Sequence, residues 1–203
     1  MVYIRELCIE DKGYIKAIAM LHKKAFPSFF LTQLGITFLR VLYCGYLEDR
    51  DSGIIIAEED EEVIGFIAYS KDYSLFYKRL MKKHFLKFAL SSAGASLRHP
   101  SFSRRLLGAF TKSKSVVKKE KYVELASICV DPEYQGRGIG SSLVSCLKTM
   151  VDYEVYAYIN LETDAEDNER VNNFYKKNGF SLAGNYTTRE GRKMNEYRYY
   201  DYN

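Results

Sequence analysis

In the run Leu125-Ala126-Ser127-Ile128-Cys129-Val130-Asp131-Pro132-Glu133-Tyr134-Gln135-Gly136-Arg137-Gly138-Ile139-Gly140, an apolar strand, a tight turn and a helix start follow in immediate succession. Glycines at 136, 138 and 140 remove side chains where several backbone N–H groups must converge on an oxyanion. The positive end of the following helix dipole adds attraction for that charge. A phosphate-bearing ligand is the economical explanation. The competing reading is a helix N-terminus that uses glycine only to pack closely on a strand. Two nucleotide motifs fit badly: no Lys-Ser or Lys-Thr follows Gly140 as in a Walker loop, and the Rossmann pattern needs G-x-G-x-x-G after the first strand of its unit.

On the C-terminal side, Ile139, Leu143, Val144, Leu147 and Met150 form the apolar stripe of a helix. A strand at Ala157–Leu161 follows. Asp167 or Asn168 caps a helix running to Asn178, with Gly179 as its stop, and Phe180–Tyr186 with Met194–Tyr200 reads as a closing hairpin. On the N-terminal side, Val2–Ile9 reads as a first strand. Asp11 caps a helix in which Ile15, Ile18, Ala19 and His22 recur, ended by Pro27, and a second helix runs from about Thr32 to Leu47. Ile54–Glu58 and Val63–Ser70 are β-rich runs joined by the acidic turn Glu59–Glu62, an antiparallel hairpin.

The stretch V-D-P-E-Y-Q-G-R-G-I-G-S-S-L from Val130 resembles the acetyl-CoA-binding signature of the GNAT acetyltransferase superfamily, and the match is continuous over Val130–Gly140. A second block, Asn168-Glu169-Arg170-Val171-Asn172-Asn173-Phe174-Tyr175-Lys176-Lys177-Asn178-Gly179-Phe180, is similar to that family's N-x-x-A-x-x-[LF]-Y-x-x-x-G-F, with Val171 in place of the usual alanine. The blocks stand in the family's order. The resemblance implies an α/β fold, a mixed and mostly antiparallel sheet flanked by helices and splayed where central strands receive the cofactor. It covers one domain, residues 1–203, apart from an insertion at 72–119.

The resemblance also implies roles. Backbone groups around Ile128, Cys129 and Val130 would pair with the pantetheine arm of acetyl-CoA, and Gln135, Gly136, Arg137, Gly138, Ile139, Gly140 and Ser141 would hold the pyrophosphate. Asn168 would bond the pantetheine, and Tyr175 would donate a proton to the departing thiolate, since a phenol of ordinary pKa, about 10, stays protonated at neutral pH. An acceptor amine or hydroxyl attacks the thioester directly and must lose a proton. Glu124, counted by the two-residue period of a strand, faces the same side as Ala126, Ile128 and Val130, and is the first candidate base. Glu58, Glu162 and Asp164 are its rivals. For Tyr175 a plain core aromatic, and for each carboxylate a plain surface charge, are the competing readings. A non-catalytic CoA-binding sensor or scaffold is the alternative to an enzyme.

The connection His22–Gly35 is unusually aromatic, and in this fold it borders the acceptor site. Its pattern H-x-x-x-F-P-x-x-F-L-T-x-L-G resembles GNAT enzymes associated with bacterial surface-polysaccharide biosynthesis. His22, Phe26, Phe29 and Phe30 would then stack on a small polar acceptor such as an amino sugar; core packing between two helices is the competing reading.

Charge is unevenly spread. The net charge of +4 conceals a segment, Lys71–Lys121, in which fourteen basic residues stand against two acids, Asp72 and Glu120; the rest of the chain is net acidic. Leu75, Phe76, Leu80, Met81, Phe85, Leu86, Phe88 and Leu90 alternate with these cations at roughly helical spacing. One or two amphipathic helices are expected, with mobile stretches at Ser96–Ser103 and Thr111–Lys119. The insertion is read as a solvated face, as a field favouring the phosphates of CoA, or as a surface for peripheral contact with anionic membrane. No nucleic-acid motif accompanies it. The four cysteines are scattered and the three histidines lack a second ligand at metal spacing, so no metal is expected. No apolar run approaches the roughly 20 residues that span a bilayer, and no signal-peptide layout opens the chain, which is read as cytoplasmic.

Overall fold

The computed structural model describes residues 1–98, 120–188 and 191–202. Its centre is a seven-stranded sheet in the order β1-β2-β3-β4-β5-β7-β6. The strands are β1 (Tyr3–Glu6), β2 (Ser52–Glu59), β3 (Glu62–Ser70), β4 (Tyr122–Val130), β5 (Tyr158–Asp164), β6 (Ser181–Thr187) and β7 (Lys193–Tyr199). Every neighbouring pair is antiparallel except β4 and β5, which run parallel. The expected α/β architecture, mixed and mostly antiparallel, is the one observed.

Helices cover both faces. On one lie α1 (Ile15–Ala25), the single turn α2 (Phe30–Gln33), α3 (Ile36–Glu48) and α4 (Tyr73–Arg98). Their core joins Ile18, Phe38, Leu39, Tyr43, Phe76 and Phe88 to Ile54, Ile56, Phe66, Ala68 and Cys129 of the sheet. On the other lie α5 (Ile139–Met150) and α6 (Glu169–Lys177), which bury Leu143, Val144, Leu147 and Tyr175 against Ile55, Ile67, Leu125, Ile159 and Leu161. Each such side chain contributes about 1.5–3 kcal/mol of burial, enough to hold α5 firmly beneath the loop that precedes it.

Several boundaries move for local reasons. β1 is shorter than expected because a 3-10 turn, Ile9–Tyr14, begins early, and Asp11 accepts a bond from the Cys8 N–H (2.9 Å) inside that turn instead of capping α1. The helix expected from Thr32 to Leu47 is broken at Gly35, whose φ of +100° is outside helical space. Asn168 is the residue before α6, and Gly179, at φ +78°, ends it as anticipated. In the segment expected to be an insertion, α4 is one long helix that includes the start of the stretch expected to be mobile. Positions 99–119, including the rest of that stretch and Thr111–Lys119, lie outside the described residues.

Candidate active site

β4 and β5 pair only at Tyr122↔Tyr158, Val123↔Ile159 and Glu124↔Asn160. Beyond those pairs β4 runs on to Val130 and β5 to Asp164 with no ladder between them among the described residues. The strands part, and a wedge opens at the centre of the sheet. Which backbone groups of β4 face the wedge follows from its other edge. The Asp131 N–H donates to the Ile64 carbonyl of β3 (2.8 Å), so by strand alternation Cys129 also turns its backbone towards β3, while Ile128 and Val130 turn theirs into the wedge. The N–H and C=O groups of these two residues, so placed, call for a partner.

At the mouth of the wedge lies the glycine loop. Asp131 organises its start: its carbonyl accepts from the Tyr134 N–H (2.9 Å) and its carboxylate from the Glu133 N–H (3.0 Å). Lys24 of α1 clamps the same corner, 2.8 Å from Asp131 and 2.6 Å from Glu133. Gly136 and Gly138 have φ of +81° and +80°, and a Cβ built on either meets nothing within 4 Å. Backbone conformation therefore requires glycine there, and crowding inside the protein does not. The open space above both positions is a cradle that a side chain would occupy. Gly138 caps α5, whose first-turn N–H groups have no intrahelical partner. Arg137 is exposed, with its guanidinium over the Tyr134 ring, and Gln135 accepts a bond from Arg170 (2.9 Å).

α6 brings the second motif to the wedge. Asn168 Nδ2 donates to Thr163 Oγ1 (2.9 Å) and to the Asp164 carbonyl (3.0 Å), so this amide ties α6 to the end of β5, and only its oxygen remains for a ligand. Asn172 repeats the tie to Asp164 (2.9 Å). Tyr175 is buried among Phe174, Phe180 and Tyr197. Burial raises its pKa well above the ordinary phenol value, so it keeps its proton at neutral pH. Its hydroxyl is neither hydrogen-bonded nor sealed off among the described residues.

Glu124 sits at the apex, where β4 and β5 last touch. It is 7% exposed and accepts a bond from Asn160 Nδ2 (2.8 Å), which orients the carboxylate. Its orientation differs from the one expected by simple alternation. The β3–β4 register slips between Ala68 and Tyr69, leaving Ala126 as an extra residue on β4. A bulge of one residue reverses the parity of everything beyond it. Ile128 and Val130 consequently face α5 and α6 with Tyr175, whereas Ala126 and Cys129 face the α1–α3–α4 layer. Glu124 shares this second side, where burial chiefly raises the pKa values of the Tyr46, Tyr73 and Tyr77 phenols and the nearby Glu124 charge adds to the rise. Glu124 and Tyr175 thus approach the wedge from opposite faces of the sheet.

The rival carboxylates are differently placed. Glu58 lies on β2, with β3 between it and β4. Asp164 is held by Arg192 through contacts of 2.8–3.0 Å. Glu162 accepts from the Tyr186 hydroxyl (2.5 Å) and pairs across the sheet with Glu196. Neither Asn160 nor Tyr186 was singled out by the sequence; only the parallel register and the β6–β7 hairpin bring them beside these carboxylates.

The aromatic connection is likewise split. His22 is 2% exposed, its Nδ1 lies 2.6 Å from the Tyr43 hydroxyl, and burial pulls its pKa down to about 4. Tyr43 is itself fully enclosed, its ring edge-on to Phe66 of β3 at 5.0 Å. The His22–Tyr43 pair therefore ties α1 to α3 inside the core. Phe26 and Phe30 are half-buried, and Phe29, 6.1 Å from the His22 ring, is the most exposed of the four at 41%.

The model of the acetyltransferase (GNAT) family matches residues 15–180, and the chain belongs to that family. It is a GNAT-family N-acetyltransferase whose cofactor is acetyl-CoA. The fold is shared with a histone acetyltransferase HPA2-related protein from Corynebacterium glutamicum (TM-score 0.62, 16% identity, covering 100% of this chain and 98% of that one). It is shared also with the polyamine N-acetyltransferase of Drosophila melanogaster (0.61, 10%, 99% and 100%). A Bacillus anthracis acetyltransferase solved with acetyl coenzyme A aligns over 78% of this chain and 68% of its own (0.51, 18%). A search of curated proteins found no match.

Proposed function

We propose that the chain moves an acetyl group from acetyl-CoA directly to the amine of a small, positively charged polar acceptor, with an amino sugar as the best-fitting class. The observation that carries this reading is the wedge after Glu124 and Asn160, entered from one face by Tyr175 and from the other by Glu124. When bound, acetyl-CoA supplies a thioester-activated acetyl group and leaves as a thiol. The residues present fit it. Ile128 and Val130 offer backbone groups for the pantetheine amides, and the glycine cradle with the first turn of α5 offers N–H groups for pyrophosphate. Ser141, Ser145 and Lys177 line the surface beyond, where the nucleotide end would lie.

Tyr175 Oη holds a proton that burial keeps in place, and it can give that proton to the leaving thiolate. The Glu124 carboxylate, steadied by Asn160, can receive the proton that the acceptor amine must lose. Glu162, on the same side of the sheet, favours a cationic acceptor over a neutral alcohol, whereas the charge of its neighbour Glu196 is offset by Arg198 at 2.9 Å. Phe29, exposed beside the His22 ring, offers an apolar face for a sugar ring.

The test is CoA thiol release measured against a panel of amino sugars, polyamines and hydroxyl acceptors, in wild type and Glu124→Gln. Acceptor-dependent release with amino sugars, lost in Glu124→Gln while CoA still binds, is the expected result. Tight CoA binding with no acceptor-dependent release would favour a sensor or scaffold, and a preference for hydroxyl acceptors would overturn the amine assignment.

A further inference from the structure

Helix α4 is apolar on two opposite sides, although packing accounts for only one. Phe76, Leu80, His84 and Phe88, at steps of four, are buried against the core; Phe76 lies 4.1 Å from the Tyr46 ring and Phe88 4.9 Å from Phe38. On the outward side, Leu75, Lys78, Lys82, Leu86 and Leu90 follow at steps of three and four, with Phe85 beside Leu86. The apolar members of that row are exposed by 41% (Leu75), 58% (Phe85), 73% (Leu86) and 79% (Leu90). The cations of α4 divide in the same way. Arg79 is held by Asp49 and Asp51, and Lys83 by Glu48. Lys78, Lys82 and Lys87 make no ion pair among the described residues and stand in solvent.

We propose that this outward face of α4 is a docking surface for an anionic lipid bilayer, holding the enzyme on the membrane with α4 lying in the interface. Large side chains between lysines are what an interfacial helix needs: the apolar groups enter the headgroup boundary and the ammonium groups stay with the lipid phosphates. Charge complementarity selects this occupant over two others. A second copy of the chain would set lysine rows against one another across a two-fold contact. A nucleic acid would engage the lysines and leave Phe85, Leu86 and Leu90 in water. No helix among the described residues is long and apolar enough to cross a membrane, so the contact lies on the surface. The inference is independent of the acceptor assignment.

The chain has no tryptophan, so Phe85→Trp supplies a single reporter of insertion. The full chain carrying it is mixed with vesicles of phosphatidylcholine, with or without phosphatidylserine. A blue-shifted emission and co-sedimentation are expected only with phosphatidylserine present. Replacing Lys78, Lys82 and Lys87 by glutamine should weaken partitioning on the order of a hundredfold, since each cation near such a surface contributes roughly fivefold. Replacing Phe85, Leu86 and Leu90 by serine should weaken it comparably, with thiol release towards soluble acceptors unchanged in both variants. An unshifted emission at low salt overturns the proposal. So does binding lost in the lysine variant but intact in the serine variant, which marks a plain polyanion site, or a change of oligomeric state in the serine variant on gel filtration, which marks a contact between copies.

Discussion

The two ends of the wedge are built by different means. At the proposed cofactor end, the groups on offer are backbone: strand edge, glycine loop and helix N-terminus lie within one continuous stretch, Ile128–Ser141. At the proposed acceptor end the groups are side chains from distant segments: Glu124 with Asn160, Glu162 with Tyr186, and His22 with Tyr43. Backbone geometry tolerates changes of side chain so long as φ and ψ survive. A constellation of side chains depends on every element that delivers a member.

If that contrast holds, the largest single effect belongs to Gly138. A valine there must adopt φ near +80°, which β-branched residues avoid, and its side chain fills the cradle. Gly138→Val should abolish CoA binding in calorimetric titration while circular dichroism shows a folded chain; unchanged affinity would break the assignment of the loop. Next comes Glu124→Gln, expected to lower kcat by about 10²–10⁴ with the Kd for CoA unaltered, as loss of a general base does. Asn160→Ala should give a smaller fall in kcat, because Asn160 acts through the Glu124 carboxylate.

Tyr175→Phe tests the opposite face. A fall of about a hundredfold in kcat is expected, the low end for loss of a general acid. Its thermal midpoint should hardly move, because the hydroxyl makes no hydrogen bond among the described residues. A large stability loss with full activity would return Tyr175 to ordinary packing.

The smallest effect concerns His22 and is read as stability. Its folded-state pKa, about 4, lies below the ordinary value of 6.5, so between those values the unfolded chain binds more protons than the folded one. Stability contributed by the neutral ring is therefore full above about pH 6.5 and is lost as pH falls towards 4, on the order of 2 kcal/mol allowing for relaxation around the charged ring. His22→Phe should flatten chemical-denaturation stability across that window. An unchanged slope would place the acid sensitivity elsewhere.

Much of the fold was legible because it repeats. Steps of four placed the buried faces of α3 and α5, the acidic turn between β2 and β3 marked a hairpin, and glycines marked both the loop and the end of α6. Motif and periodicity are properties of neighbours in the chain, and the cofactor end is made of such neighbours. The error over Glu124 shows where that reasoning stops. Counting by twos holds only while the ladder is regular, and nothing in the residues Glu124-Leu125-Ala126-Ser127 signals the bulge, which arises from how β4 must register against Tyr69 and Ala68.

By itself, then, the sequence determined the order of the main helices and strands, the glycine loop, and the helix that follows Asn168 and stops at Gly179, all set by local torsional preference and local apolar period. Tertiary structure alone decided which face Glu124 takes, that Asn160 meets it, that His22 is enclosed by Tyr43, and that β4 and β5 part after three pairs. Those outcomes depend on register and packing between segments far apart in the chain, where free energy is a property of the pair and neither partner's neighbours record it.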